Sequence, residues 1–212
     1  MNLRLPRPAR TALLATGVAS ALSLAPALAL AHVGADGGAH HEGMAAFAAG
    51  FAHPFTGADH LMAMVGIGLW SATRGRTASQ WAAPIAFTVA LLVGALMARA
   101  GVAFPAVEPM IAASLLVIGL LAATRARLST AAGVAIAAVF ALFHGAAHGQ
   151  EFGDAGGSAM LAGMVLASLS LHVAGLLAGR ALQQRAAWLP RVAGGAVAAL
   201  GAALLAGVPV LG

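Results

Sequence analysis

The chain has no cysteine among its 212 residues, which excludes disulfides, thiolate metal sites and cysteine nucleophiles. Lysine is missing too: all 11 basic residues are arginine. A phosphate-binding P-loop and a lysine Schiff base are therefore excluded. Charge of either sign is scarce, at 8% of residues against roughly 25% in a soluble domain. The balance is basic, +5 with six acids, but so few charges cannot build the broad basic surface that nucleic acid requires. What the chain has in excess is apolar surface, 61% of its residues. That composition predicts an all-α membrane protein whose first partner is the lipid bilayer and whose rare polar residues carry the function.

Arg4, Arg7 and Arg10 form a basic leader, followed by an apolar run from Thr11 to Leu24. Pro26 then leads into Ala29-Leu30-Ala31, a small-x-small cleavage pattern, with Ala27-Leu28-Ala29 as a second possible cut. The pattern predicts a cleaved signal peptide over 1–31; an uncleaved first transmembrane helix is the alternative, which the short apolar core disfavours. Cleavage after Ala31 makes His32 the new N-terminus and leaves eight arginines against six acids. Much of the apparent basicity is thus targeting signal.

A spanning helix needs roughly 20 mostly apolar residues. Beyond an exported His-rich leader over 32–43, the domain 44–212 offers such stretches at about 57–73, 81–100, 106–123, 129–149, 158–179 and 192–211. The first is preceded by a short apolar piece, Met44–Ala52, and interrupted at His53-Pro54, because proline lacks a donor and its predecessor avoids the helical region. A broken backbone at membrane depth is tolerated only where it lines protein or a wet cavity. The arginines set the orientation. Arg74 and Arg76 follow the first span, Arg125 and Arg127 the third, and Arg180, Arg185 and Arg191 the fifth, with only Arg99 on the opposite side. By the positive-inside rule those three connections are cytoplasmic, and both ends of the mature chain face outward, as export of the leader independently requires.

Two polar clusters fall at the outer ends of spans. The first runs His53-Pro54-Phe55-Thr56-Gly57-Ala58-Asp59-His60; two imidazoles and a carboxylate suit a borderline divalent transition ion. The Pro/Gly bend could fold His53 back beside Asp59 and His60; consecutive helical residues point about 100° apart, so Asp59 and His60 alone are not expected to share one face. The bland alternative is a helix cap with histidines satisfying buried backbone. The second cluster is Phe143-His144-Gly145-Ala146-Ala147-His148-Gly149-Gln150-Glu151. His144 and His148 are i, i+4 neighbours, the spacing by which one helix supplies two imidazole ligands, and a continuing helix keeps Glu151 on that face. Gly145 and Gly149 leave room for another backbone or for an ion beside the rings.

Further residues are less determined. His32, His40 and His41, with Asp36 and Glu42, lie in the exported leader; short His-rich tracts capture metal, although a flexible solvated leader is an equal alternative. His172, deep in the fifth span and at least two turns inward, is read as an inner relay or as an interhelical hydrogen-bonding group. Met62 and Met64 are read as core packing. Glu108 and Asp154 are read as solvated outer charges able to attract cations.

The pairing of His53, Asp59 and His60 with His144, His148 and Glu151 resembles the HupE/UreJ family of nickel and cobalt permeases, and the resemblance extends from the signal peptide through all six spans. It implies import of Ni2+, or Co2+, as substrate across the bacterial inner membrane, without ATP hydrolysis and with no prosthetic group, in the service of hydrogenase or urease maturation proteins. The Leu171-His172 pair also resembles a family feature. Two other classes use the same residues: a membrane hydrolase with a His/Asp/Glu-bound Zn2+, and a metal-binding accessory protein that does not transport. The enzyme reading lacks a His-Glu-x-x-His or Gly-x-Ser-x-Gly pattern to support it.

Overall fold

A computed structural model describes residues 39–75, 78–152 and 157–208, without the side chains of 39–42, 151 and 152. The signal peptide expected over 1–31 lies outside the described residues. Every regular element among the described residues is helical: α1 Ala39–Ala52, a 3-10 turn His53–Phe55, α2 Ala58–Ala72, α3 Ser79–Arg99, α4 Val107–Thr124, α5 Thr130–Phe152, α6 Gly157–Arg185 and α7 Leu189–Leu205. Four of these, α3 to α6, are long and apolar enough to cross a membrane. The other two expected spans are shorter, with 15 residues in α2 and 17 in α7.

The expected interruption at His53-Pro54 is present as the 3-10 turn, with Pro54 in its first turn, where a missing N–H costs least. Helix α1 begins at Ala39, earlier than the apolar piece that starts at Met44. The 29 residues of α6 extend about 43 Å at ~1.5 Å per residue, enough to back both α1 and α2. Gly163 packs on the backbone of Phe47 in α1, and Gly175 on that of Val65 in α2.

Small residues let three helix pairs approach backbone to backbone. Gly94, Gly145 and Gly149 join α3 to α5, Gly68 and Gly175 join α2 to α6, and Gly119, Gly194 and Gly201 join α4 to α7. Around these seams Met64, Ile67, Trp70, Phe87, Leu91, Ile118 and Met164 form the core. Stripes of exposed apolar side chains run along α3 (Ile85, Val89, Val93, Leu96) and α6 (Leu166, Leu169, Val173, Leu177). Their three- and four-residue spacing is that of one helix face, and such a face suits lipid.

The arginine-bearing connections are tied together. Arg74 donates to Leu128 O at 3.2 Å and lies over the Trp70 ring at 5.1 Å. The Trp70 indole donates to Ala126 O at 3.1 Å, and Arg180 donates to Gln80. Arg99 reaches instead to Gly157 O, between α3 and α6, at 3.4 Å.

Candidate metal site

The first turn of α2 and the last turns of α5 meet through their histidines. The ring of His60 lies 4.9 Å from that of His144 and 4.5 Å from that of His148, centroid to centroid. The 3-10 turn brings the His53 ring to 4.8 Å from His148. Four imidazoles from the two sequence clusters therefore share one site. His144 and His148 are fully buried, whereas the side chains of His60 and Asp59 retain 13% and 35% exposure. Polar groups thus descend from the surface into the helices.

Asp59 sits closer to His60 than a 100° separation suggests. Its Oδ1 accepts from the His60 backbone N–H at 2.7 Å and contacts His60 Nδ1 at 2.9 Å. The cause is local: the first backbone N–H groups of a helix have no intrahelical acceptor, so a carboxylate there folds back onto them. A carboxylate accepts only, so Nδ1 carries a proton, and in the neutral ring Nε2 then holds the lone pair. His60 Nε2 is buried with no hydrogen-bond partner among the described residues. A carboxylate holding one imidazole nitrogen while the other stays open is the arrangement that orients histidine ligands.

His144 is held similarly, by a residue absent from the sequence expectations. Its Nε2 lies 2.8 Å from Ser114 Oγ on α4, and that hydroxyl donates to Ile111 O at 2.6 Å. A lone serine in an apolar span carries no signal that would single it out. The Phe87 ring, fully buried on α3, was also missed. It touches His144 at 5.4 Å and His172 at 5.2 Å.

His172 lies inward of the cluster, its backbone against Gly68 of α2, eight residues beyond His60. Its Nδ1 donates to Met64 O at 2.9 Å, and Met64 is one helical turn beyond His60. Its Nε2 faces Ser168 Oγ at 3.4 Å, and one aromatic ring, Phe87, stands against both it and His144. Met64 is core, as expected. Glu151 continues α5 in its last turn, and His40 and His41 lie in the first turn of α1, but their side chains are outside the described residues. His32, Asp36 and Asp154 are wholly outside them.

Gly145 and Gly149 face a backbone, not an open space: a Cβ at Gly145 would lie 2.0 Å from Leu91 O, and one at Gly149 would lie 2.4 Å from Ala95 O. The open space is on the other side. A cavity of about 550 Å³ is lined by Asp59, His60, Phe104, Glu108, Ala147 and Gln150 among others, and Glu108 and Asp59 also share a neighbouring one of about 350 Å³. Glu108, in the first turn of α4, therefore stands beside the exposed end of the cluster. Among the described residues no three His, Asp or Glu groups are already arranged around a single ion position; the rings meet edge to face or tilted. Closing on an ion would require them to turn.

Residues 20–204 match the HupE / UreJ protein family. Protein HupE of Rhizobium leguminosarum bv. viciae is 39% identical over 194 residues, covering 91% of this chain and 97% of that protein. No solved structure gives a significant match. With nearly the whole chain covered by both comparisons, the protein belongs to the HupE/UreJ family.

Proposed function

We propose that this protein is an inner-membrane permease that imports a divalent transition-metal ion, Ni2+ or Co2+, for maturation of a metalloenzyme. The observation that carries the reading is the convergence of four imidazoles from α2, α5 and the 3-10 turn before α2, graded from half-buried to fully buried. Ionisable groups within spanning helices are costly and are retained for function. Neutral imidazoles favour borderline transition ions over Mg2+ and Ca2+, and a carboxylate offsets their charge.

In this reading six spans cross the membrane, with both ends of the mature chain outside. A hydrated cation collects in the cavity beside Glu108 and Asp59 and exchanges water for imidazole at His60, His53, His148 and His144, with Glu151 at the end of the same helix. Asp59 holds the His60 ring while its open Nε2 takes the ion. The His-rich leader, with His32, His40 and His41, serves as an outer trap. Onward movement to His172 requires the Phe87 ring to swing aside, so Phe87 is the barrier between the outer cluster and the inner half. The ion must be bound strongly enough to load and weakly enough to leave. No ATP is consumed by the chain, so the driving force is the ion's own gradient or a coupled one.

His148→Ala removes the ring that touches both His53 and His60. Expressed in cells, it should reach the membrane at the normal level yet lose accumulation of labelled Ni2+ and Co2+. Normal accumulation by that variant would remove the cluster from the transport path.

A further inference from the structure

His144 is the most enclosed imidazole of the cluster for which a polar partner can be traced, and that partner decides which nitrogen is open. Ser114 Oγ has one hydrogen. It is committed to Ile111 O, one helical turn back on α4, at 2.6 Å. At 2.8 Å from His144 Nε2 the hydroxyl oxygen can then only accept, so the proton of the ring sits on Nε2. The opposite assignment would leave the Ser114 and Ile111 oxygens 2.6 Å apart with no hydrogen between them. His144 Nδ1 is buried with no hydrogen-bond partner among the described residues. A proton there would be a buried donor without an acceptor, which is unfavourable; a lone pair there is a ligand without an ion. Both Ser114 and His144 are fully buried.

We propose that Ser114 is a positioning residue of the metal site. It fixes His144 as the Nε2–H tautomer, holds the ring's orientation from a different helix, and presents Nδ1 as the coordinating atom. The site then takes unlike nitrogens from its rings, Nδ1 from His144 and Nε2 from His60, each selected by an oxygen on the ring's far side. This rests on the reading of His144 as a ligand of the transported ion. Because Ser114 is on α4 and His144 on α5, the hydrogen bond also couples ring orientation to the spacing of these two helices, which pack against each other. Residues that hold a ligating imidazole from behind typically change metal affinity by about 10- to 100-fold when removed.

The test uses the full-length protein purified in detergent, titrated with Ni2+ and separately with Co2+. Ser114→Ala should weaken binding about tenfold or more while the number of sites per folded protein stays the same. Ser114→Thr, which keeps a hydroxyl able to donate to the preceding turn, should restore most of the affinity. In 15N-histidine-labelled protein without metal, with the His144 signal identified by its loss in His144→Gln, the expected shifts are those of a protonated Nε2 and an unprotonated Nδ1. The opposite tautomer would overturn the proposal, as would wild-type affinity in Ser114→Ala. If Ser114→Ala binds normally while His144→Gln does not, only the role of Ser114 fails. If both bind normally, the reading of the site fails with it. Equal weakening in Ser114→Ala and Ser114→Thr would make the serine a packing residue and also overturn the proposal.

Discussion

Replacing Gly145 by alanine sets two effects of opposite sign against each other. Alanine is the better helix former by about 1 kcal/mol, so on an open helix face the substitution stabilises. At Gly145, however, the new Cβ would lie 2.0 Å from Leu91 O and 2.8 Å from Ala95 N, both backbone atoms of α3. A carbon–oxygen contact is comfortable only at about 3.3 Å or more, so α3 and α5 must separate by roughly 1 Å. Backbone cannot turn aside as a side chain does. Overpacking of this kind costs about 1–3 kcal/mol or more, which exceeds the gain in propensity, and the net effect should be destabilising. Gly195 on α7 provides the control, because nothing stands within 4 Å of its Cβ position; Gly195→Ala should be neutral or stabilising. Thermal unfolding of the two variants in one detergent checks the pair. The separation should also disturb the ring next in sequence, so Gly145→Ala should lose metal affinity and Gly195→Ala should not. A Gly145→Ala protein more stable than the parent would refute the packing of α3 on α5.

Two further outcomes follow from the site. Protons compete with the ion for imidazole lone pairs, so metal affinity should fall on acidification; titration of the purified protein with Ni2+ across pH would show it, and pH-independent binding would argue against imidazole ligands. Glu108→Gln removes a charge beside the cavity without touching the rings, so it should slow uptake at low salt by several-fold, with the difference shrinking as salt screens it. An equal loss at all ionic strengths would instead place Glu108 among the ligands.

The sequence carried the architecture where periodicity and composition speak directly. The break at His53-Pro54 follows from proline's missing donor, and the pairing of His144 with His148 follows from the helical repeat. The meeting of two clusters 84 or more residues apart was readable because the expected topology puts both at the outer ends of spans. Helix neighbours were not readable. Gly145 and Gly149 could have faced an ion or a backbone, and only the pairing of α3 with α5 decides for the backbone. Asp59 was placed away from His60 by a rule for helix interiors, whereas it stands in a first turn whose free N–H groups draw a carboxylate back. Ser114 and Phe87 act through contacts between helices, and nothing local distinguishes them from other serines and phenylalanines in apolar runs.

Passage of the ion across the membrane through this cluster can be measured. Purified protein in sealed liposomes, supplied with labelled Ni2+ or Co2+ outside, tests it most directly. Saturable uptake of one or both ions into the lumen is expected, with little uptake of Mg2+ and loss of uptake in His148→Ala and His60→Ala. Binding of the ion to the protein with no accumulation inside the vesicles would contradict it.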